Sequence, residues 1–358
     1  MTIKDIASRC GVSVATVSRV LNRFPHVHPA LRARVEREIR RVGFRPNGVA
    51  RSLVLKKTRT IGVVVADITN PFYSEIARGI EDQVRAHGYT SVLCSTDNLP
   101  KRQLEYLQTL LEKRVDGLIL GSVRRREPEV AALAHNGFAM VLVNRSFRSP
   151  HVDSVVVDNY AGARRLMEYL VGLGHRLIAH IRGPLQFSTG YDRYRGYRDS
   201  LRARGLTPDP RYVVSGAFRR EDAVVATRRL LELRPRPTAI FAGNDLMALG
   251  ALEALAEAGL RIPADMAVVG FDDVELASYW GIRLTTMSQR IYEMGRLAVD
   301  LLMERIEKRR RERRAIILQP ELVIRGSCGG QPISGGLGQG SLPLETHLDR
   351  AQLRRPQG

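Results

Sequence analysis

The sequence predicts a small all-α head followed by an α/β core made of two doubly wound parallel-sheet units. Three observations carry this. Residues 2–43 show apolar positions at helical spacing, punctuated by cap and turn residues. From Ile61 the texture changes to β-branched runs alternating with amphipathic stretches, and that alternation restarts about halfway along the chain. The charge is lopsided: residues 1–59 hold fourteen Lys/Arg and three Asp/Glu, a net of +11 out of a chain total of +19. A length of 358 residues allows two or three domains and a sizeable core.

In the head, Thr2 is placed to cap a first helix, with Asp5 at capping-box spacing and Ile3, Ile6 and Ala7 facing inward. Gly11 falls where the chain must turn, and Ser13 is placed to cap a second helix. Val17, Val20 and Leu21 form that helix's buried face, leaving Val14, Ala15, Ser18, Arg19 and Asn22 outward. A helix that opens with small side chains and carries an arginine one turn later suits a DNA major groove, where arginine can fork onto guanine O6 and N7. The competing reading is an ordinary helical hairpin with a solvated face. A third helix follows, with Pro29 in its first turn, Leu31, Val35, Ile39 and Val42 on one face, and Gly43 as its stop. The segment after it, PNGVARSLVLKKTRT, offers Asn47 as a cap and Val49, Ala50 and Leu53 on one face, but is too short to be a stable helix alone.

In the core, the runs IGVVVAD, YTSVLCSTD, DGLILGS, AMVLVN and SVVVD read as strands, separated by helical stretches. LIAHIRG, YVVSGAF, AIFAGND and MAVVGFDD repeat the pattern, giving about two five-strand units. The stretch 329–358 is rich in Gly, Pro and polar residues and reads as disordered. Its GGLGQG follows no strand of a βαβ unit and is discounted as a dinucleotide site.

Composition excludes several classes. Three distant cysteines, Cys10, Cys94 and Cys328, argue against a disulfide framework or a Cys-rich zinc site. No apolar run reaches membrane-spanning length, and Lys4, Asp5 and Arg9 interrupt any signal-peptide core, so a cytoplasmic location is expected. A nicotinamide dehydrogenase would need G-x-G-x-x-G after the first strand, where ADITNPF stands instead. No metal-protease, serine-hydrolase or P-loop motif occurs, so neither catalysis nor a cofactor or metal is expected.

The blocks TIKDIA, GVSVATVSRVLN, RPNGVARSL, DITNPFYSEI, KRVDGLIL, STGYDRYRGY, FAGNDLMALGAL, VVGFDD and LTTMSQ, in this order, resemble the Lac repressor / galactose repressor family of bacterial transcription regulators. The resemblance spans about Thr2 to Ser327. It implies a helix-turn-helix DNA-binding domain over 1–46, a hinge over 47–58, and a core over 59–328 resembling periplasmic sugar-binding proteins. Within that core it implies one subdomain of about 59–158 and 289–319 and another of about 159–288 and 320–328. It implies major-groove reading by Val14, Ala15 and Arg19, backbone contacts from Thr2, Ser13, Thr16, Ser18 and Asn22, and a minor-groove insertion by Leu53 with Asn47, Ala50 and Arg51 beside it. The implied partners are a near-palindromic double-stranded operator and a second copy of the chain. A dimer is the default, since no leucine-heptad tail follows the core, and no membrane is involved.

The same resemblance places an effector pocket between the subdomains, lined by Asp67, Asn70, Phe72, Asn144, Arg145, Ser188, Arg193, Phe218, Asn244, Asp272 and Gln289. These residue types suit a sugar or sugar derivative: carboxylates, amides and guanidinium groups bond hydroxyls, and Phe72 and Phe218 can cover a ring face. Blander roles compete. Asp67, Asn70 and Asp272 could be local caps, and Phe72 plain core. A regulator answering to a purine or another non-sugar metabolite is the alternative effector reading. A sugar-binding receptor without regulation is the alternative function, and it leaves the basic head unexplained.

Overall fold

The computed structural model describes residues 1–21, 24–44, 57–149, 151–309 and 312–329. The head consists of α1 (Ile3–Cys10), α2 (Val14–Leu21) and α3 (Pro29–Val42). Thr2 and Asp5 form the expected reciprocal capping box. Gly11 ends α1 at φ +57°, a left-handed turn that any side chain would strain. The Ser13 hydroxyl accepts from the Thr16 backbone N–H at 3.1 Å and so caps α2. In place of the usual hydroxyl, the His28 ring accepts from the Ala30 N–H at 3.3 Å to cap α3. Ile6, Ala7, Cys10, Val17, Val20 and Val35 form the buried centre of the head. Of the expected inward positions, Ile3, Leu21, Ile39 and Val42 pack against this centre only partly buried, Leu31 is not part of it, and Cys10 is an addition.

The core's first sheet holds β1 (Thr60–Val65), β2 (Thr90–Ser95), β3 (Gly117–Leu120), β4 (Met140–Val143), β5 (Asp153–Val157) and β11 (Ala315–Leu318). All pairings are parallel, in the order β11-β5-β4-β3-β1-β2. Alternation along each strand divides two apolar layers. Ile61, Val63, Ile119, Val141 and Val155 face α4 (Pro71–Ala86) and α11 (Ile291–Ile306). Val64, Leu118, Leu120 and Leu142 face α5 (Pro100–Glu112) and α6 (Pro128–His135).

The second sheet, β7-β6-β8-β9, is also parallel, built from β6 (Ile178–Arg182), β7 (Val213–Ser215), β8 (Ala239–Ala242) and β9 (Ala267–Val269). Ala179, Ile181, Ile240 and Val268 pack toward α9 (Arg220–Glu232) and α10 (Asp245–Glu257). On the other face lie α7 (Asn159–Gly172) and α8 (Ser188–Ala203), with Tyr197 and Leu201 against Ile178 and Phe241. A short antiparallel pair, β10 (Thr286–Ser288) with β12 (Glu321–Val323), leans on the end of β9. The units thus hold six and four strands plus a two-stranded extra, not five and five. β10 and β12, three residues each, pair with one another, and β11 pairs with β5 at the edge of the first sheet; none of the three is among the strands read from the sequence.

The chain passes from the first sheet to the second between Val157 and Asn159, returns between Ser288 and Ile291, and crosses again between Leu318 and Glu321. Side-by-side crossings of this kind set the carboxyl ends of both parallel sheets toward a common cleft.

Candidate functional site

On α2, Val14, Ala15 and Arg19 are exposed, and Thr16 and Ser18 are half-buried. Val14 keeps 40 % of its surface in solvent, unusual for valine in so small a head. Arg19 makes no ion pair among the described residues, whereas Arg9 and Arg41 both pair with Glu38. The start of α2 therefore presents a small, uncrowded surface with one uncommitted guanidinium. Asn22, Asn47, Ala50, Arg51 and Leu53 lie outside the described residues.

The cleft encloses about 410 Å³ of space, counting its open mouth. On its second-sheet side, Arg193 rises from α8 and is buried. Its Nε donates to Asn159 Oδ1 at 2.7 Å, and one terminal nitrogen donates to the Gly243 carbonyl at 2.6 Å and to Asp272 Oδ1 at 3.3 Å. The guanidinium lies 3.8 Å from the centre of the Phe271 ring. Gln289 donates its amide to the same Asp272 oxygen at 2.5 Å. Burial pushes the Asp272 carboxyl up to about 8, opposed by Arg193 and Gln289. The neighbouring buried Asp245 is likewise pushed up to about 6, while Thr286 and the Val274 N–H hold it by hydrogen bonds.

On the first-sheet side, Arg145 follows β4 and is 2 % exposed. Its guanidinium sits 3.7 Å from the Phe187 ring centre and 5.6 Å from that of Phe218. The guanidinium makes one hydrogen bond among the described residues, to Asn98 Oδ1 at 2.7 Å. Burial lowers its pKa, and the Tyr73 hydroxyl is the one titratable group that opposes this. Further contacts join the two units outside the cleft lining. The Ser146 N–H donates to Ser188 Oγ at 3.0 Å, the Arg125 N–H donates to the Gln186 carbonyl at 2.8 Å, and Arg125 stacks on Tyr191 at 3.6 Å.

Two features set the cleft apart. Among the described residues, five buried side-chain atoms lack a hydrogen-bond partner, and two of them, Asn144 Oδ1 and Arg145 Nε, belong to residues that line this cleft. Such groups are rare in folded proteins because each forfeits its hydration. Several cleft residues also hold positive φ without being glycine: Asn98 (60°), Asn144 (64°), Phe218 (63°) and Asp272 (142°). Strained backbone of this kind concentrates at binding sites. Phe218 lies so close over Gly183 that a Cβ there would fall 2.1 Å from the ring, so only glycine leaves it room.

Asp67, Asn70, Phe72, Asn144, Arg145, Arg193, Phe218, Asn244 and Asp272 all line the cleft. Ser188 and Gln289 do not; Ser188 joins the two units and Gln289 braces Asp272 from behind. Some lining residues also do local work. Asp67 accepts from both the N–H and the hydroxyl of Thr69, and Asn70 and Asn244 cap α4 and α10. Phe72 is buried edge-on to Tyr73, 5.2 Å between ring centres. Sequence reasoning missed Tyr73, Asn98, Thr189 and Arg219, which also line the cleft. Asn98 had a signal, since Asp97-Asn98 before Leu99-Pro100 is turn chemistry that tolerates positive φ.

Comparison with known proteins agrees with this geometry. Residues 2–47 match the model of the bacterial regulatory proteins of the lacI family. Residues 58–325 match the model of periplasmic binding proteins and the sugar-binding domain of the LacI family. The ribose operon repressor of Escherichia coli (strain K12) is 38 % identical over 328 residues, covering 91 % of this chain and 99 % of that one. The HTH-type transcriptional repressor PurR of Vibrio atlanticus (strain LGP32) is 36 % identical over 327 residues, covering 91 % and 98 %. The crystal structure of the Lac repressor dimer bound to operator and the anti-inducer ONPF superposes with a TM-score of 0.81 at 30 % identity, covering 91 % of this chain and 98 % of that one. These matches run through both the DNA-binding head and the ligand-binding core, and the family is one of repressors, not enzymes. The chain belongs to the LacI family of DNA-binding, effector-responsive bacterial transcriptional repressors.

Proposed function

We propose that this repressor acts as a homodimer on a near-palindromic operator and that a small polyhydroxy compound, a sugar or sugar derivative, binds in the cleft and changes operator affinity. The observation that carries the effector half is the convergence of Asn144 Oδ1 and Arg145 Nε, buried and unpartnered, on one cleft. One is an acceptor and the other a donor, a pair that a hydroxyl-bearing molecule satisfies, since each hydroxyl both donates and accepts. Phe72 and Phe218 supply an apolar wall.

On the DNA side, Val14, Ala15 and Arg19 read base edges while Thr2, Ser13, Thr16 and Ser18 hold phosphates. Support comes from the exposed face of α2 and the eleven-charge excess of residues 1–59. The dimeric state of the operator-bound Lac repressor supports a two-fold arrangement here.

A thermal-shift panel of neutral sugars, sugar acids, sugar phosphates and purine bases tests the effector half. A binder at a hundredfold excess over its Kd raises stability by about 2.7 kcal/mol. A polyhydroxy compound is expected to score and then to shift operator affinity. A response to purine bases alone contradicts the reading.

A further inference from the structure

The two ends of the cleft differ in charge, and this deepens the polyhydroxy reading just given, on which it rests. At one end the Arg193 guanidinium is matched by Asp272 and held by Asn159 and the Gly243 carbonyl. At the other end the Arg145 guanidinium is equally buried, but no carboxylate pairs with it among the described residues. Acids nearby in sequence or in the cleft wall are engaged elsewhere: Asp97 pairs with Arg102, Glu127 with Arg124, and Asp67 with Thr69. Phe187 and Phe218 shield the faces of the Arg145 guanidinium but cannot accept its in-plane N–H groups, and Nε–H is left without a partner.

A second, independent feature points the same way. Helix α8 begins beside Phe187 with no side-chain cap and no acidic residue in its first turn, and its Thr189 lines the cleft. Helix α9 also starts uncapped, yet it carries Glu221 and Asp222 in its first turn, which answer its dipole internally. The uncapped start of α8 and the unpaired cation of Arg145 therefore meet at one end of the cleft.

We propose that the effector is an anionic polyhydroxy compound, a sugar acid or a sugar phosphate. Its carboxylate or phosphate sits against Arg145 and the start of α8, and a hydroxyl donates to Asn144 Oδ1. The neutral parent sugar meets the hydrogen-bonding demand but leaves the charge of the buried guanidinium unmatched.

Calorimetric titration of the full-length protein with matched sets decides this: ribose, ribonate and ribose 5-phosphate; glucose, gluconate and glucose 6-phosphate; and hypoxanthine. The acid or the phosphate of a set is expected to bind about tenfold or more tightly than its neutral parent, because a charge-assisted bond to a buried group is at stake. Whichever anion scores identifies the source of the charge. Arg145→Gln is expected to bring the affinity ratio of anion to neutral parent close to one, the anion losing about tenfold or more and the neutral sugar, which also bonds Arg145, losing less. The wild-type ratio needs no variant, so a misfolded Arg145→Gln leaves the test intact. A neutral sugar that binds as tightly as its acid and phosphate overturns the anionic assignment and spares the polyhydroxy reading. Binding of hypoxanthine alone, or of none of these compounds, overturns both.

Discussion

Arg19 in the head and Arg193 in the cleft place the same side chain in opposite settings. Arg19 stands in solvent with no ion pair among the described residues, so it is hydrated and stable whether or not a partner is present. Arg193 is 3 % exposed and requires Asn159, Gly243 and Asp272 at all times. On the proposed reading, the head recognises DNA with a surface that is complete by itself, and the cleft recognises its effector with groups buried and braced in advance, two of which lack a partner in the protein. Preorganised polar groups of this kind select ligands sharply, because a wrong ligand leaves them unpaired.

The contrast is broken most severely at Arg193. Arg193→Ala leaves Asp272 and a carbonyl buried without their cation, and is expected to cost about 3–5 kcal/mol of unfolding free energy. Chemical denaturation monitored by circular dichroism measures it. The double change Arg193→Met with Asp272→Leu is expected to cost less than the single one, since it removes both charges. A single variant as stable as wild type shows that Arg193 is not structurally committed.

His180 tests the same principle with a titrating group. It is fully buried between Tyr197 and Phe241, and burial pushes its pKa down to about 4 from 6.5. The unfolded chain therefore takes up a proton below pH 6.5 that the folded chain refuses until about pH 4, so stability from this residue is lost as pH falls through that window. The raised carboxyls of Asp245 and Asp272 act oppositely, losing stability as pH rises toward about 6 and about 8. Comparing wild type with His180→Phe isolates the histidine. The wild type is expected to lose up to about 3 kcal/mol relative to the variant between pH 6.5 and 4. Parallel stability curves contradict this.

Arg19→Ala sharpens the other side. Because its guanidinium is solvated, stability is expected to change by less than ~0.5 kcal/mol. Operator affinity is expected to fall by ~1–3 kcal/mol, with specificity relaxed at one base pair in each half-site. Binding to a randomised operator library reads this directly, and equal losses on specific and nonspecific DNA remove Arg19 from base readout.

The two regions also differed in how far the sequence disclosed them. In the head, capping and the 3.6-residue period act within a few residues, so Thr2, Gly11, Ser13 and the Val17–Val20 stripe were legible directly. In the core, the continuous apolar runs of β1, β3 and β4 were legible, but β10, β11 and β12 take their places only by pairing with neighbours far along the chain. The cleft residues came from resemblance rather than periodicity, since Arg193 reaches Asp272 across 79 positions. Nothing local announces that Asn98 supports Arg145, or that Tyr73 bonds Asn144. Those pairings exist only once two sheets share a cleft.

Linkage between that cleft and the operator is the central claim. It is tested most directly by titrating the compound that scores in the thermal-shift panel into the protein, free and saturated with operator. Coupling is reciprocal, so the ligand's Kd is expected to differ between the two titrations by roughly 5- to 150-fold. The same Kd in both would show that whatever occupies the cleft does not regulate DNA binding.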